Sequence, residues 1–261
     1  MKSFNFKSAA NTKEAMKMAS GRATFLAGGM TLLPAIKLRL AAYSDLINIK
    51  KIKGLSGIKV SSKSLRIGAT TTHAEVASSK EVGKSISSLA VLADGIGDPQ
   101  VRNRGTIGGS IANNDPAADY PSACLALNAT IHTSKRKIPA NKFFKGMFET
   151  DLKKGELIES VEFEVPEKSA YAKFPNPASR YAIVGVYVAK LKKEVRVAVT
   201  GVESFVFRCK KLEDALANNF SPSVIDNITI SSKGFNSDIH ASAEYRAHII
   251  KVMTKKAVSS C

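Results

Sequence analysis

Two glycine-bearing segments hold the residues best suited to chemistry. The first, Ala27-Gly28-Gly29-Met30-Thr31-Leu32-Leu33-Pro34, stands between a strand-like run and a helix-like one. Glycines there let the backbone approach an anion, and the free N–H groups of a helix start carry partial positive charge that favours a phosphate. A Gly-Gly turn before a helix is also an ordinary turn, so alone it is a weak pointer. The second segment runs through Asp98-Pro99-Gln100-Val101-Arg102-Asn103-Arg104-Gly105-Thr106-Ile107-Gly108-Gly109-Ser110 and on through Asn113-Asn114-Asp115-Pro116 to Asp119. Its glycines and small hydroxyl and amide residues offer backbone donors with little bulk, suited to packing against a dinucleotide. Asp119 can accept from sugar hydroxyls or cap the helix that begins near Pro121, and both roles are compatible. Arg102 and Arg104 can pair with phosphate, although Arg104, just before a glycine, is as well suited to bracing the loop through carbonyls.

The elements that must position these segments are short. Residues 11–20 read as a capped helix, 24–27 as a strand and 31–40 as a helix with Leu32, Leu33, Ile36 and Leu40 on its apolar face. Residues 45–49 and 65–69 resume the strand pattern, Thr72 and Glu75 have capping-box spacing, and 87–93 form an apolar helix leading into a long loop that holds the second segment. Beyond about residue 155 the chain changes to long alternating runs at 157–165, 181–190 and 194–202, then helical segments near 210–218 and 241–257. The expectation is an α+β fold in two domains. The first covers residues 1–155, extending as far as about 170, and residues 156–261 form a smaller sheet-and-helix domain.

Composition removes several alternatives. A chain of 261 residues can bury a large core, and no stretch approaches the roughly 20 apolar residues of a membrane helix. The N-terminal residues lack the apolar run and small-residue cleavage site of a secretory signal, so a cytoplasmic location is expected. Cys124, Cys209 and Cys261 lie too far apart for a cluster-binding run, and the neighbours of Cys124 suit a small buried hydrophobe. His73, His132, His240 and His248 have no metal-ligand spacing, so no metal site is expected. The net charge of +17 invites a nucleic-acid reading, but the Lys and Arg clusters sit at apparent turns and strand edges without interleaved aromatics. A solvated surface without nucleic acid is the expectation.

The paired segments, with Asn113-Asn114-Asp115-Pro116-Ala117-Ala118-Asp119-Tyr120-Pro121 and the closing Tyr245-Arg246 and Lys255-Lys256-Ala257, resemble the FAD-binding subunits of molybdenum hydroxylases. The likeness covers nearly the whole chain and is strongest to the medium subunit of carbon monoxide dehydrogenase. It implies the FAD-binding fold of the vanillyl-alcohol oxidase and p-cresol methylhydroxylase type, followed by a small C-terminal domain. It also implies FAD held without a covalent bond. Ala27, Gly28, Gly29, Met30, Thr31 and Leu32 would hold the pyrophosphate from one side, and Thr106, Gly108, Gly109 and Ser110 from the other. Asp119 would hold the ribityl or ring end, Leu157 or Ile158 would line the ring edge, and Tyr181 would stack over it or serve as a core residue. No residue is implied as an acid–base catalyst. The implied work is electron transfer from the clusters of an iron–sulfur subunit, in a complex with a molybdopterin subunit, to NAD or a quinone. A flavoprotein subunit of a xanthine, nicotinate or aldehyde dehydrogenase fits the same residues, and a basic binding protein that has lost FAD is a reading from another class. The sequence departs from the family in two places. Residues 128–140 are shorter than the usual hairpin, and Arg180 replaces an acidic residue that many relatives carry beside the flavin.

Overall fold

The computed structural model of the protein describes residues 2–261. Strands β1 (Asn5–Ser8), β2 (Ala23–Leu26) and β3 (Asp45–Asn48) form a three-stranded parallel sheet in the order β1-β3-β2. Parallel neighbours need crossover connections, which the helices Thr12–Met18 and Leu32–Lys37 supply. Asn11 starts the first of these, its Oδ1 accepting from the Glu14 N–H at 2.9 Å. The second is shorter than its apolar spacing suggests. Arg39 takes a φ of +61°, a left-handed residue that ends a helix, and Leu38 and Leu40 are left exposed. The spacing of Leu32, Ile36 and Leu40 therefore continues in sequence but not in space.

Strands β4 (Ile58–Val60), β5 (Ser64–Gly68), β6 (Thr130–Thr133) and β7 (Lys137–Pro139) belong to an antiparallel sheet. After a small hairpin of β8 (Phe144–Gly146) and β9 (Glu149–Thr150), the chain returns as β10 (Ile158–Glu164) to the middle of that sheet, in the order β4-β5-β10-β6-β7. Val161 and Phe163 of β10 thereby join Leu65, Ile67 and Ile131 in the main core. Residues 98–113 are not the long loop their glycine content suggests. They form two helices, Pro99–Arg104 and Ile107–Asn113, turning a corner at Gly105 and Thr106. Asp98 and Thr106 cap them, their side chains accepting from Val101 N–H at 2.8 Å and Gly109 N–H at 3.1 Å, and Pro99 occupies a first-turn position where its missing N–H costs nothing.

The C-terminal part is a four-stranded antiparallel sheet of β11 (Lys168–Pro175), β12 (Ala182–Lys190), β13 (Val195–Thr200) and β14 (Phe207–Arg208). Both faces of β12 are covered, which explains its unbroken apolar run. Val184, Val186 and Val188 pack with Leu212 and Ile250 of the helices Lys210–Asn218 and Ala243–Ser259. Tyr187 and Ala189 point the other way, into the main core. Among the described residues no helix is long and apolar enough to cross a membrane.

Candidate functional site

A cleft of about 530 Å³ opens where the parallel sheet, the capped helices around Thr106 and the C-terminal sheet meet. It collects the residues expected to hold the flavin, but not Arg102 or Arg104. Ala27, Gly28, Gly29, Met30, Thr31 and Leu32 line it, as do Thr106, Gly108, Gly109 and Ser110, and so do Asp119, Leu157, Ile158 and Tyr181.

The first segment leaves β2 and turns at Gly29, whose φ of +77° is at home in glycine. The carbonyls of Gly29 and Thr31 accept from Leu33 N–H at 3.0 Å and Ala35 N–H at 3.1 Å, which winds the chain into its helix. The N–H groups of Gly28, Gly29, Met30, Thr31 and Leu32 find no acceptor among the described residues. Gly28 and Gly29 are buried, and buried backbone donors are almost always paired, so this unbroken run of open donors has the chemistry that suits an anion. No Lys or Arg of this segment takes part.

The second segment works differently from the expectation that its backbone supplies donors. Ile107 N–H donates to Thr71 O at 3.2 Å, Gly108 N–H to Ala69 O at 2.9 Å, and Ser110 N–H to Thr106 O at 2.9 Å. Those amides are spent within the protein. What remains for a ligand are the side chains of Ser110 and Asn113, which line the cleft without a hydrogen-bond partner among the described residues. The glycines here serve close approach. A Cβ on Gly108 would stand 2.5 Å from the Ala69 Cβ, and one on Gly105 2.6 Å from the His73 ring. One on Gly28 would meet the Arg104 carbonyl oxygen, so the two segments touch backbone to backbone. It is Arg102, not Arg104, that braces the loop: its guanidinium donates to Ile96 O at 3.1 Å and Gly97 O at 3.2 Å. Arg104 is exposed, and among the described residues its side chain has no bond.

Asp119 stands at the start of the helix Tyr120–Ala126, but its carboxylate caps nothing. Instead its Oδ1 accepts from the Tyr171 hydroxyl at 2.5 Å and from Lys173 Nζ at 2.9 Å, both on β11. Burial pushes this carboxyl up, and Lys173 and Tyr171 pull it back. Tyr181 lies at the mouth, 42% exposed, its hydroxyl beside the Thr31 side chain. It is therefore a wall of the cleft and no part of a core. Burial raises its hydroxyl, and Asp115 and Asp119 add to that. Arg180 is next to it at φ +62°, its guanidinium donating to Gly97 O at 3.2 Å. Leu157 is buried beside Glu156, whose carboxylate is held at about 2, against the pull of burial, by Arg136, Thr133 and the Lys153 N–H. His73, also on the lining, is pushed down to about 4 chiefly by burial and is a neutral imidazole at pH 7. Among the described residues no group of three or more His, Cys, Asp and Glu side chains could hold a metal ion.

Nothing local in the sequence marks Lys173 and Tyr171 as site residues, because β11 lies between the long alternating runs at 157–165 and 181–190. Its signal is alternation. Ser169, Tyr171 and Lys173 share one face while Ala170 and Ala172, on the other, join the C-terminal core.

A run of free amides beside unpartnered hydroxyl and amide side chains, with a neutralised carboxylate further along, suits a dinucleotide with a pyrophosphate and polyol chain. The fold around it is that of a flavoprotein with a covering C-terminal sheet. The chain belongs to the FAD-binding subunits of molybdenum-dependent dehydrogenases: the family model "FAD binding domain in molybdopterin dehydrogenase" matches residues 2–167 and "CO dehydrogenase flavoprotein C-terminal domain" matches residues 169–261. It is 36% identical to the glyceraldehyde dehydrogenase medium chain of Sulfolobus acidocaldarius, across 97% of this chain and 96% of that one. It is 32% identical to the carbon monoxide dehydrogenase medium chain of Hydrogenophaga pseudoflava, across 91% and 88%. A solved structure of carbon monoxide dehydrogenase from that organism superposes with a TM-score of 0.90 at 30% identity, covering 99% of this chain and 96% of the other. Quinoline 2-oxidoreductase from Pseudomonas putida does so with a TM-score of 0.89 at 26% identity, covering 100% and 98%. FAD is the cofactor of this family, and its members are oxidoreductase subunits.

Proposed function

We propose that the chain is the electron-transfer subunit of a molybdenum hydroxylase complex, taking electrons from an iron–sulfur subunit and delivering them to an external acceptor, NAD or a quinone. The observation that carries this reading is the run of unpaired N–H groups from Gly28 to Leu32 facing the cleft. It would hold the pyrophosphate, with Ala27 and the side chains of Thr31, Ser110 and Asn113 around it. Thr106, Gly108 and Gly109 shape the facing wall. Asp119 would hold the polyol or ring end, Leu157 or Ile158 the ring edge, and Tyr181 would cover the ring. When bound, FAD supplies a group that accepts and releases electrons one or two at a time. The chain's own residues bind and orient it and tune it through the charges of Asp119 and Arg180.

Three buried or half-buried free cysteines cannot supply the four ligands a typical iron–sulfur cluster needs, so the donor is another chain, with molybdopterin on a third. The same free thiols suit a cytoplasmic complex. Relatives named for glyceraldehyde, nicotine, carbon monoxide and xanthine share the fold, which supports placing substrate choice outside this subunit. The fold would be of the vanillyl-alcohol oxidase type, with the first domain extended beyond 155 to about 170 so that β10 stays in its sheet.

The purified chain is expected to show the visible spectrum of a flavin and to release FAD on acid precipitation. Co-expression with its genomic neighbours is expected to give a complex that also contains iron and molybdenum. A purified chain that stays colourless after incubation with FAD would overturn the reading.

A further inference from the structure

We propose that Lys173, helped by Tyr171, is a positioning residue that fixes Asp119 so that its free Oδ2 accepts a hydrogen bond from an N–H or O–H group of the bound flavin cofactor; this rests on the FAD reading above. An ammonium has three donors, and Lys173 spends all of them: on Asp119 Oδ1 at 2.9 Å, Gly95 O at 2.8 Å and Arg180 O at 3.0 Å. One side chain thereby fastens the end of the helix Ser87–Asp94, the start of the helix Tyr120–Ala126 and the turn before β12. With its head fully engaged and only 10% of its side chain exposed, Lys173 has little freedom to wander.

Asp119 receives both of its protein bonds on Oδ1, from Lys173 and Tyr171, and Oδ2 has no partner among the described residues although Asp119 lines the cleft. A carboxylate has acceptor capacity on both oxygens, and leaving one idle beside a cavity marks it for a ligand donor. Burial raises this carboxyl overall, and Lys173 and Tyr171 offset part of that rise while they hold the group in place. An acceptor of this kind recognises the polyol hydroxyls or the ring N–H of a flavin, and rejects an anionic group.

The test is a double-mutant cycle on FAD affinity, measured by flavin fluorescence with the full chain, using Asp119→Asn, Lys173→Met and the double variant. Asp119→Asn is expected to weaken the Kd about 10-fold, and Lys173→Met slightly more because it also frees the Arg180 turn. The double variant should bind like Lys173→Met alone. The flavin midpoint potential should shift in opposite directions in the two single variants, up where the negative charge is lost and down where the positive one is. Unchanged affinity in a folded Lys173→Met variant, losses that multiply to about 100-fold in the double variant, or potential shifts of the same sign would each overturn the positioning role. A wild-type chain that takes up no FAD overturns the parent reading, so the two failures are told apart by the wild-type control.

Discussion

The two glycine segments look alike on paper and do opposite things with their backbones. From Gly28 to Leu32 the N–H groups are left without protein acceptors, whereas those of Ile107, Gly108, Gly109 and Ser110 all bond within the chain. The first segment uses glycine for conformation at Gly29, and the second uses it for space, with Gly108 against Ala69 and Gly105 against His73. One leaves its donors open to the cleft, and the other joins parts of the protein. Only Gly109 breaks the pattern of the second, since a Cβ there meets nothing but the Thr106 hydroxyl and the residue is exposed toward the cleft. Composition reports that backbone must come close to something. It does not report whether that something is a ligand or the chain itself.

The comparison breaks most readily at Gly108. Replacing it with Val forces branched carbon onto the Ala69 backbone, and the expected cost is about 3 kcal/mol or more, a fall in Tm of roughly 10 °C with or without FAD. Scanning calorimetry checks this, and a Gly108→Val variant as stable as the wild type would show the second segment to be looser than described. Acid probes the same wall through His73. Its imidazole titrates near 4 in the folded chain against 6.5 when unfolded, so the unfolded state binds more protons in between. Stability should therefore be intact above about pH 6.5 and fall by about 3 kcal/mol as pH drops toward 4. Urea titrations at pH 7 and pH 4.5 should show that slope, and His73→Gln should flatten it.

Ligand binding is where the first segment should dominate. Gly29→Val places a branched residue at φ +77° against the Leu33 side chain and disturbs the free amides, so FAD affinity should fall roughly 100-fold, about 2.7 kcal/mol. Gly109→Val is expected to cost about 10-fold in FAD affinity, about 1.4 kcal/mol, while Tm without FAD stays within a few degrees. Fluorescence titration of both variants ranks the two segments, and equal losses would erase the distinction drawn between them.

Sequence reading located the cleft because its residues are local in sequence: each segment sits at an element boundary, where glycine, small polar residues and caps leave a legible mark. The capping box at Thr72 and Glu75 is present as expected, with Thr72 N–H donating to the Glu75 carboxylate at 2.7 Å. What local pattern could not give was pairing across distance. Asp119 reads as a helix cap until Tyr171 and Lys173 arrive from β11, more than fifty positions later. The helices Pro99–Arg104 and Ile107–Asn113 were hidden because glycine content argued for a loop while two caps and a proline, which outweigh it, argued for helices. Leu40 failed in the opposite direction, since one left-handed residue ended a helix whose periodicity ran on.

The fastening of the C-terminal sheet to the rest has a consequence for how the protein is made. The Thr200 hydroxyl bonds the carbonyls of Pro116 and Ala118, the Arg196 guanidinium bonds Leu125 O at 3.0 Å, and Ser88 meets Tyr187 at 2.6 Å. Tyr181 and Arg180 thus reach the cleft only when a sheet has closed whose last strand ends at Arg208 and whose covering helix runs to Ser259. A ribosome adding roughly 5–20 residues per second needs roughly 10–40 seconds to pass from the last of the open amides to that helix. During this time the nascent chain displays its donors without the wall that the C-terminal sheet adds, so the complete cleft forms only after that sheet and its covering helix have been made.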